Sequence, residues 1–375
     1  MTQSIPFHKA HITEDEINEV VDTLRSGWLT MGPKTIAFEN AFGECVGSKQ
    51  SVSLNSATAA LHLALKAIGL KEGDEVILPT NTFVSTAEVV TYFNAIPVLC
   101  DIEYETHNMD VSKIEALITK NTKAIIPVHF AGNPCDMDPI LEIAAKYKLH
   151  VIEDAAHAVP AKYKGRAVGS IGDMTCFSFY ATKTLATGEG GMLTTNNEEW
   201  AKSVRINRLH GISKDAWDRY TAKGAWHYEV VENGHKYNMT DIAASLGLVQ
   251  LKKIDWMREE RAKIVAKYDE LLQSLNPISV PEGHESAHHL YVIKINNRDA
   301  AIERLKEAGV GSSVHFIPIH HHPYYKKRYG YKASDYPVAE AVFNQSLSLP
   351  LYPGLSTESI DRIIKQVQNI ADPVR

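Results

Sequence analysis

Between about residue 55 and residue 200, short apolar runs without polar alternation recur at intervals filled by helical patterns, and this rhythm constrains the fold most. The runs are Glu75 to Pro79, Ile96 to Asp101, Ala124 to Val128, Val151 to Asp154, Met174 to Phe179 and Met192 to Thr195. A strand that is apolar throughout has both faces covered, as in a parallel sheet between layers of helices. The helical stretch from Thr58 to Leu70 sets Leu61, Leu65 and Ile68 at i, i+4 and i+7, one apolar stripe to lay on such a sheet. The βαβα order predicts an α/β architecture.

Past residue 240 the pattern changes. Residues 240 to 273 read as one long helical segment crowded with Lys, Arg and Glu, a bridge between domains. His289 to Ile295 reads as a strand, Ala300 to Ala308 as a helix closed by Gly309, and Ser313 to Phe316 as a further short strand. Residues 320 to 336, rich in His, Tyr and Lys, read as loop. The final helix puts Ile360, Ile363, Ile364 and Val367 on one face. A large α/β domain over residues 1–250 and a smaller α+β domain over 251–375 are expected, with no internal repeat and no low-complexity linker.

Composition narrows the function classes. A chain of 375 residues can bury a large core, and its 44% hydrophobic and 22% charged content is ordinary for a globular protein. A net charge of −6 without a dense Lys/Arg run argues against nucleic acid and membrane surfaces. No apolar run reaches the roughly 18 residues needed to span a bilayer, and Met1 to Pro6 lacks signal-peptide features, so a cytoplasmic location is expected. Cys45, Cys100, Cys135 and Cys176 are too widely spaced for a metal clip or redox pair and read as four free thiols. No G-x-G-x-x-G follows a predicted strand and no G-x-x-x-x-G-K-[ST] occurs, which disfavours dinucleotide dehydrogenases and nucleotide hydrolases. His320-His321-His322 invites a metal, but adjacent side chains diverge and no helical His-x-x-x-His or Cys partner accompanies them, so no metal is expected.

The chemistry concentrates in two segments. Asp154 closes the apolar strand Val151-Ile152-Glu153, and Lys183 follows the next strand 29 positions later. Pyridoxal phosphate chemistry needs this pair: the carboxylate keeps the pyridine nitrogen protonated, and the amine forms the Schiff base and moves protons at the reacting carbon. Alone, Asp154 reads as a helix cap and Lys183 as a solvated loop lysine. Their order, with Thr187-Gly188-Glu189-Gly190-Gly191 behind the lysine, favours the paired reading. Ser56-Ala57-Thr58-Ala59 opens the first strong helix, whose free N–H groups and positive dipole end suit a phosphate, although a plain Ser cap reads as well.

These motifs, with Gly27-Trp28-Leu29-Thr30, Gly32-Pro33, Asn55 to Ala59, Lys236-Tyr237-Asn238 and Ser348-Leu349-Pro350-Leu351, resemble the DegT/DnrJ/StrS sugar-nucleotide aminotransferases over nearly the whole chain. His210-Gly211 and Ala216-Trp217-Asp218-Arg219 resemble in particular the subgroup that makes UDP-4-amino-4-deoxy-L-arabinose. The resemblance implies the type I fold of pyridoxal enzymes (aspartate-aminotransferase-like), with pyridoxal 5′-phosphate as cofactor. It implies amino transfer from glutamate, leaving 2-oxoglutarate, to a nucleotide-linked keto sugar, most simply a UDP-linked 4-keto sugar, for cell-surface polysaccharide or glycan biosynthesis. Lys183 and Asp154 would be catalytic. Thr58, Ala59 and Ser178 would hold the phosphate, Phe83 would stack on the ring, and His157 would bond the cofactor hydroxyl or orient Asp154. At the stacking position this chain has Phe where the arabinose subgroup carries Trp. Asn238 would reach the phosphate of the neighbouring subunit, making a homodimer with shared sites, and His320 would meet substrate at the cavity mouth. Two rivals share the fold: a sugar 3-dehydrase, whose members carry His in place of Lys183, and a non-catalytic sensor or scaffold.

Overall fold

Seven strands form the central sheet of the computed structural model, which describes residues 4–213 and 227–374. They are β1 (Gln50–Leu54), β2 (Glu75–Pro79), β3 (Ile96–Cys100), β4 (Thr122–Ile125), β5 (His150–Asp154), β6 (Met174–Ser178) and β7 (Gly191–Thr195). Their spatial order is β1-β7-β6-β5-β4-β2-β3. The parallel pairings β2–β3, β2–β4, β4–β5 and β5–β6 match the unalternating apolar runs. Expectation fails at one strand: β7 runs antiparallel between β1 and β6. The reason is the connection, since β6 and β7 are joined by a short loop rather than by a crossover helix.

Strand β1 gave no apolar signature because Ser51 and Ser53 interrupt it. Both hydroxyls are spoken for: Ser51 Oγ donates to the Glu39 carbonyl at 2.6 Å and Ser53 Oγ to Glu39 Oε1 at 2.7 Å. Glu39 in turn pairs with the Arg208 guanidinium. The buried carboxylate, which also accepts the Ser53 amide at 2.9 Å, is satisfied, so polar positions survive inside the sheet edge.

Helix α1 (Glu14–Ser26) opens on a capping box between Thr13 and Glu16, and α2 (Pro33–Val46) follows. Helix α3 (Ala57–Ala67) lays Leu61 and Leu65 on the sheet, with Ile68 beside them at its C-cap, as their spacing requires. The helical segment expected over 240–273 is two helices, α4 (Asp241–Lys252) and α5 (Ile254–Leu272). The break falls at Lys253, whose ammonium is held by Thr13 Oγ1 at 2.6 Å and Glu16 Oε1 at 3.1 Å.

A second core gathers around the antiparallel pair β8 (Tyr291–Lys294) and β9 (Ser346–Leu349). Ile360, Ile363, Ile364 and Val367 of the last helix, Thr357–Ile370, pack there as one face. Ile5 from the N-terminal arm joins this core, its amide bonded to the Gly309 carbonyl at 2.8 Å. Residues Ile319 to Val342 contribute instead to the core of the seven-stranded sheet. Two local expectations need correction. Ser313 to Phe316 makes only an isolated bridge from Ser313 to Ser348, and residues 320–336 contain the helix Pro323–Tyr329, started by a proline at its first turn. All four cysteines are free. No helix among the described residues is long and apolar enough to cross a membrane. The Ala216–Arg219 segment lies outside the described residues.

Candidate active site

A cavity of ≈ 460 Å³ opens at the carboxyl ends of β5 and β6, where open α/β sheets place their ligands. Asp154 is the last residue of β5 and Ser178 the last of β6, so the sheet itself delivers both. Lys183, His157, Phe83 and Thr58 line the same cavity. Ala59 does not, and its amide donates to the Ser56 cap at 3.1 Å.

Asp154 is fixed by a chain of donors. Thr86 Oγ1 donates to its Oδ2 at 2.8 Å, and Thr86 itself meets Thr82 Oγ1 at 2.8 Å. The Ala156 amide donates to Oδ1 at 3.1 Å. Burial raises the Asp154 pKa, against the lowering effect of Thr86, Ala156, Lys183 and His129. A cationic ring nitrogen beside it would favour the carboxylate form. The strand below is held by its neighbour Glu153, fully buried against His129 with Oε2 and Nε2 2.9 Å apart. Cys135 N–H donates to His129 Nδ1 at 3.0 Å, so Nε2 carries the ring proton and donates to Glu153. Oε1 of Glu153 accepts from Thr175 Oγ1 at 2.7 Å and from the Gly172 amide at 2.8 Å. Sequence reasoning had assigned Glu153 no role.

Lys183 sits on the β6–β7 loop, its amide bonded to the Tyr180 carbonyl at 2.8 Å. Desolvation lowers its amine from 10.5 to about 8, with the Asp154 charge acting in the opposite direction. That makes it a usable nucleophile near neutrality. The glycines behind it have a structural reason. Gly188 adopts φ 83°, and a Cβ on Gly191 would lie 2.4 Å from the Ser56 carbonyl group. Only glycine lets the start of β7 pass under the N-terminus of α3, where Ser56, Ala57 and Thr58 line the cavity.

Four imidazoles complete the walls: His8, His157, His289 and His315. His157 Nδ1 accepts the Ala131 amide at 3.3 Å, and its ring lies 4.4 Å from that of His289 and stacks 5.8 Å from Phe316. His315 Nδ1 meets Ser348 Oγ at 2.9 Å. Burial, helped by Lys183, holds His8 and His315 at about 4 and keeps His157 and His289 well below 6.5. All four are neutral at pH 7. Among the described residues, His8 Nε2 and His289 Nδ1 are buried without a hydrogen-bond partner. Of the four, sequence reasoning had found only His157; the others arrive from three distant segments, and lone histidines carry no local signal.

Two further expected site residues lie elsewhere. His320 does not line the cavity; it is buried beside Thr80, with Oγ1 and Nδ1 2.6 Å apart. His315 and Phe316 occupy the wall instead. Asn238 also stays outside its own chain's cavity, its Nδ2 donating to the Met239 carbonyl at 3.2 Å. Phe83 is 56% exposed and presents its ring near Phe316 at 5.9 Å.

One small molecule uses these features together. Its aldehyde could meet the Lys183 amine, its basic ring nitrogen Asp154, its flat ring Phe83 and its phosphate the α3 N-terminus, all of which line the cavity. That molecule is pyridoxal 5′-phosphate, and the fold and site define a type I pyridoxal-phosphate enzyme. Comparison with known proteins narrows the class. Residues 10–368 match the DegT/DnrJ/EryC1/StrS aminotransferase family, and the chain belongs to it. It is 49% identical over 376 residues to the Bacillus subtilis spore coat polysaccharide biosynthesis protein SpsC, covering 98% of this chain and 97% of that one. A Streptococcus pneumoniae protein provisionally described as a sugar aminotransferase, Spr1654, superposes in its pyridoxamine-phosphate form with a TM-score of 0.93 at 39% identity, over 97% of this chain and 98% of that one. The Helicobacter pylori aminotransferase PseC, involved in pseudoaminic acid biosynthesis, gives 0.91 at 28% identity, over 98% and 99% of the two chains. The protein is thus a pyridoxal-phosphate-dependent aminotransferase of sugars.

Proposed function

We propose that the enzyme transfers the amino group of glutamate to a nucleotide-linked keto sugar, most simply a 4-keto sugar on UDP, in the cytoplasm and for polysaccharide or glycan assembly. The observation that carries this reading is the wall of neutral imidazoles around Lys183 and Asp154. A sugar is a dense array of hydroxyl groups, and neutral imidazoles offer both donors and acceptors without an opposing charge. Nε2 of His8 and Nδ1 of His289, which have no partner among the described residues, are two such groups. The biosyntheses named for SpsC and PseC, of spore coat polysaccharide and of pseudoaminic acid, fit a sugar acceptor.

When bound, pyridoxal phosphate supplies the carbonyl that accepts the amino group and the ring that takes up electrons. Lys183 Nζ would hold the cofactor through its aldehyde and, as the base of the site, would take the α-carbon proton of glutamate and return one to the sugar carbon. Asp154, its carboxylate fixed by Thr86 and Ala156, would keep the ring nitrogen protonated. His157, whose Nδ1 accepts the Ala131 amide, keeps its proton on Nε2, where it would donate to the cofactor hydroxyl. Ser56, Thr58 and Ser178, which line the cavity, would hold the phosphate with their donors.

Asn238 enters the site of a second copy, giving a homodimer with shared sites. Its support is its address: the Asn55 amide bonds the Tyr237 carbonyl at 2.7 Å, which ties Asn238 to the phosphate end while it stays out of its own cavity. The test of the acceptor is mass spectrometry of UDP-, dTDP- and GDP-linked keto sugars incubated with enzyme and glutamate. One of them should gain an amino group. Glutamate turnover to 2-oxoglutarate without amination of any nucleotide-linked sugar would sink the reading.

A further inference from the structure

Away from the cavity, His320 and His321 do not diverge as adjacent residues were expected to. A 3-10 turn, Ile319–His321, leads into the helix Pro323–Tyr329, and both rings converge on one carboxylate oxygen. His320 Nε2 lies 2.6 Å from Glu340 Oε1, and His321 Nε2 contacts the same atom. Glu340 comes from the separate helix Pro337–Gln345. The three donor atoms all lie within 4.8 Å of one another. From this convergence we propose that His320, His321 and Glu340 form a binding site for a divalent transition-metal cation, best suited to Zn²⁺.

The donor set decides the metal class. Two imidazoles and one carboxylate suit zinc and its neighbours, whereas magnesium and calcium take oxygen ligands. Around a tetrahedral zinc with bonds of about 2.0–2.1 Å, ligand atoms stand about 3.3–3.4 Å apart, so a cation enters by spreading the two histidine–carboxylate contacts less than about 1 Å and drawing the two nitrogens, which lie within 4.8 Å of each other, to that separation. The second shell is already built. Thr80 Oγ1, 2.6 Å from His320 Nδ1, can accept that nitrogen's proton and leave the Nε2 lone pair facing Glu340. Tyr336 stacks on the His320 ring at 4.7 Å and fixes its plane. Asp101, whose oxygens accept the Val338 and Ala339 amides at 3.1 and 2.9 Å, adds negative charge near His320. One side of the cluster is open: the His321 and Glu340 side chains are 34% and 24% exposed, giving an entry path and room for water as the fourth ligand. Bound there, the ion would tie the 319–340 segment to Thr80 at the end of β2, the strand that leads to Phe83.

The test is isothermal titration of metal-stripped, pyridoxal-phosphate-loaded enzyme with ZnCl₂ at pH 7.5, alongside His321→Ala and Glu340→Gln. Gln keeps a hydrogen-bonding side chain of the same length but gives up the anionic ligand. Wild type should bind one Zn²⁺ per chain, and each variant should bind it at least about tenfold more weakly while staying folded by circular dichroism. Co²⁺ in place of Zn²⁺ should give visible d–d bands of a four-coordinate site in wild type only. Zn²⁺ should raise the melting temperature of wild type and leave that of His321→Ala unmoved. His321→Ala should retain normal turnover of glutamate. Absence of saturable binding to wild type, or equal binding by wild type and both variants, overturns the proposal.

Discussion

Lys183 in enzyme stripped of cofactor should behave as an amine of pKa about 8, because desolvation outweighs the support of Asp154. The consequence is large. At pH 7 an amine of pKa 8 is about 9% unprotonated and one of pKa 10.5 about 0.03%, so Lys183 should exceed an ordinary lysine about 300-fold in reactive form. The sign is fixed by the direction of the shift: reactivity is low below the lowered pKa, rises through it and levels above it. Asp154→Asn removes the charge that supports the ammonium, so the midpoint should move to lower pH still. The assay is stopped-flow mixing of stripped enzyme with pyridoxal phosphate from pH 6 to pH 10, followed by borohydride trapping and peptide mapping. Ionisation of the free cofactor scales both rates alike, so the ratio of the wild-type to the Asp154→Asn profile cancels it. A midpoint near 10.5, a shift to higher pH in Asp154→Asn, or label on another lysine would refute the reasoning.

Other outcomes follow from the same geometry. Asp154→Asn should retain the cofactor yet lose about 10²- to 10³-fold in turnover with glutamate and sugar, read by steady-state kinetics, because an amide gives weaker support to a protonated ring nitrogen. Gly191→Ala should weaken cofactor binding at least about tenfold, measured by fluorescence titration, since its Cβ would press on the Ser56 carbonyl at the phosphate end. Ile363→Ala, in the second core, should cost about 2–5 kcal/mol in urea denaturation without altering the cofactor spectrum. Mixing inactive Lys183→Ala chains with impaired Asn238→Ala chains should restore part of the activity after subunit exchange, because each hybrid dimer has one site with both residues intact. No recovery despite proven exchange would rule out the shared site.

What the sequence determined by itself was local. Asp154 and Lys183 were legible because each stands next to an apolar strand that folds as a unit, and the spacing of Leu61, Leu65 and Ile68 placed α3 on the sheet for the same reason. The glycine run after Lys183 could be read as a motif, yet its cause, the passage of Gly191 beneath Ser56, lies between segments 135 residues apart. Strand β1 was invisible because its serines are satisfied by Glu39, which only folding brings beside them. The direction of β7 depends on a loop taken in place of a crossover helix, a choice that strand periodicity does not encode. His8, His289 and His315 meet because the N-terminal arm and the β8–β9 core close over the sheet, and His320 turns to Glu340 instead of the cavity. A side chain's role depends on which neighbours desolvate it and which donors reach it, and those neighbours are remote in sequence.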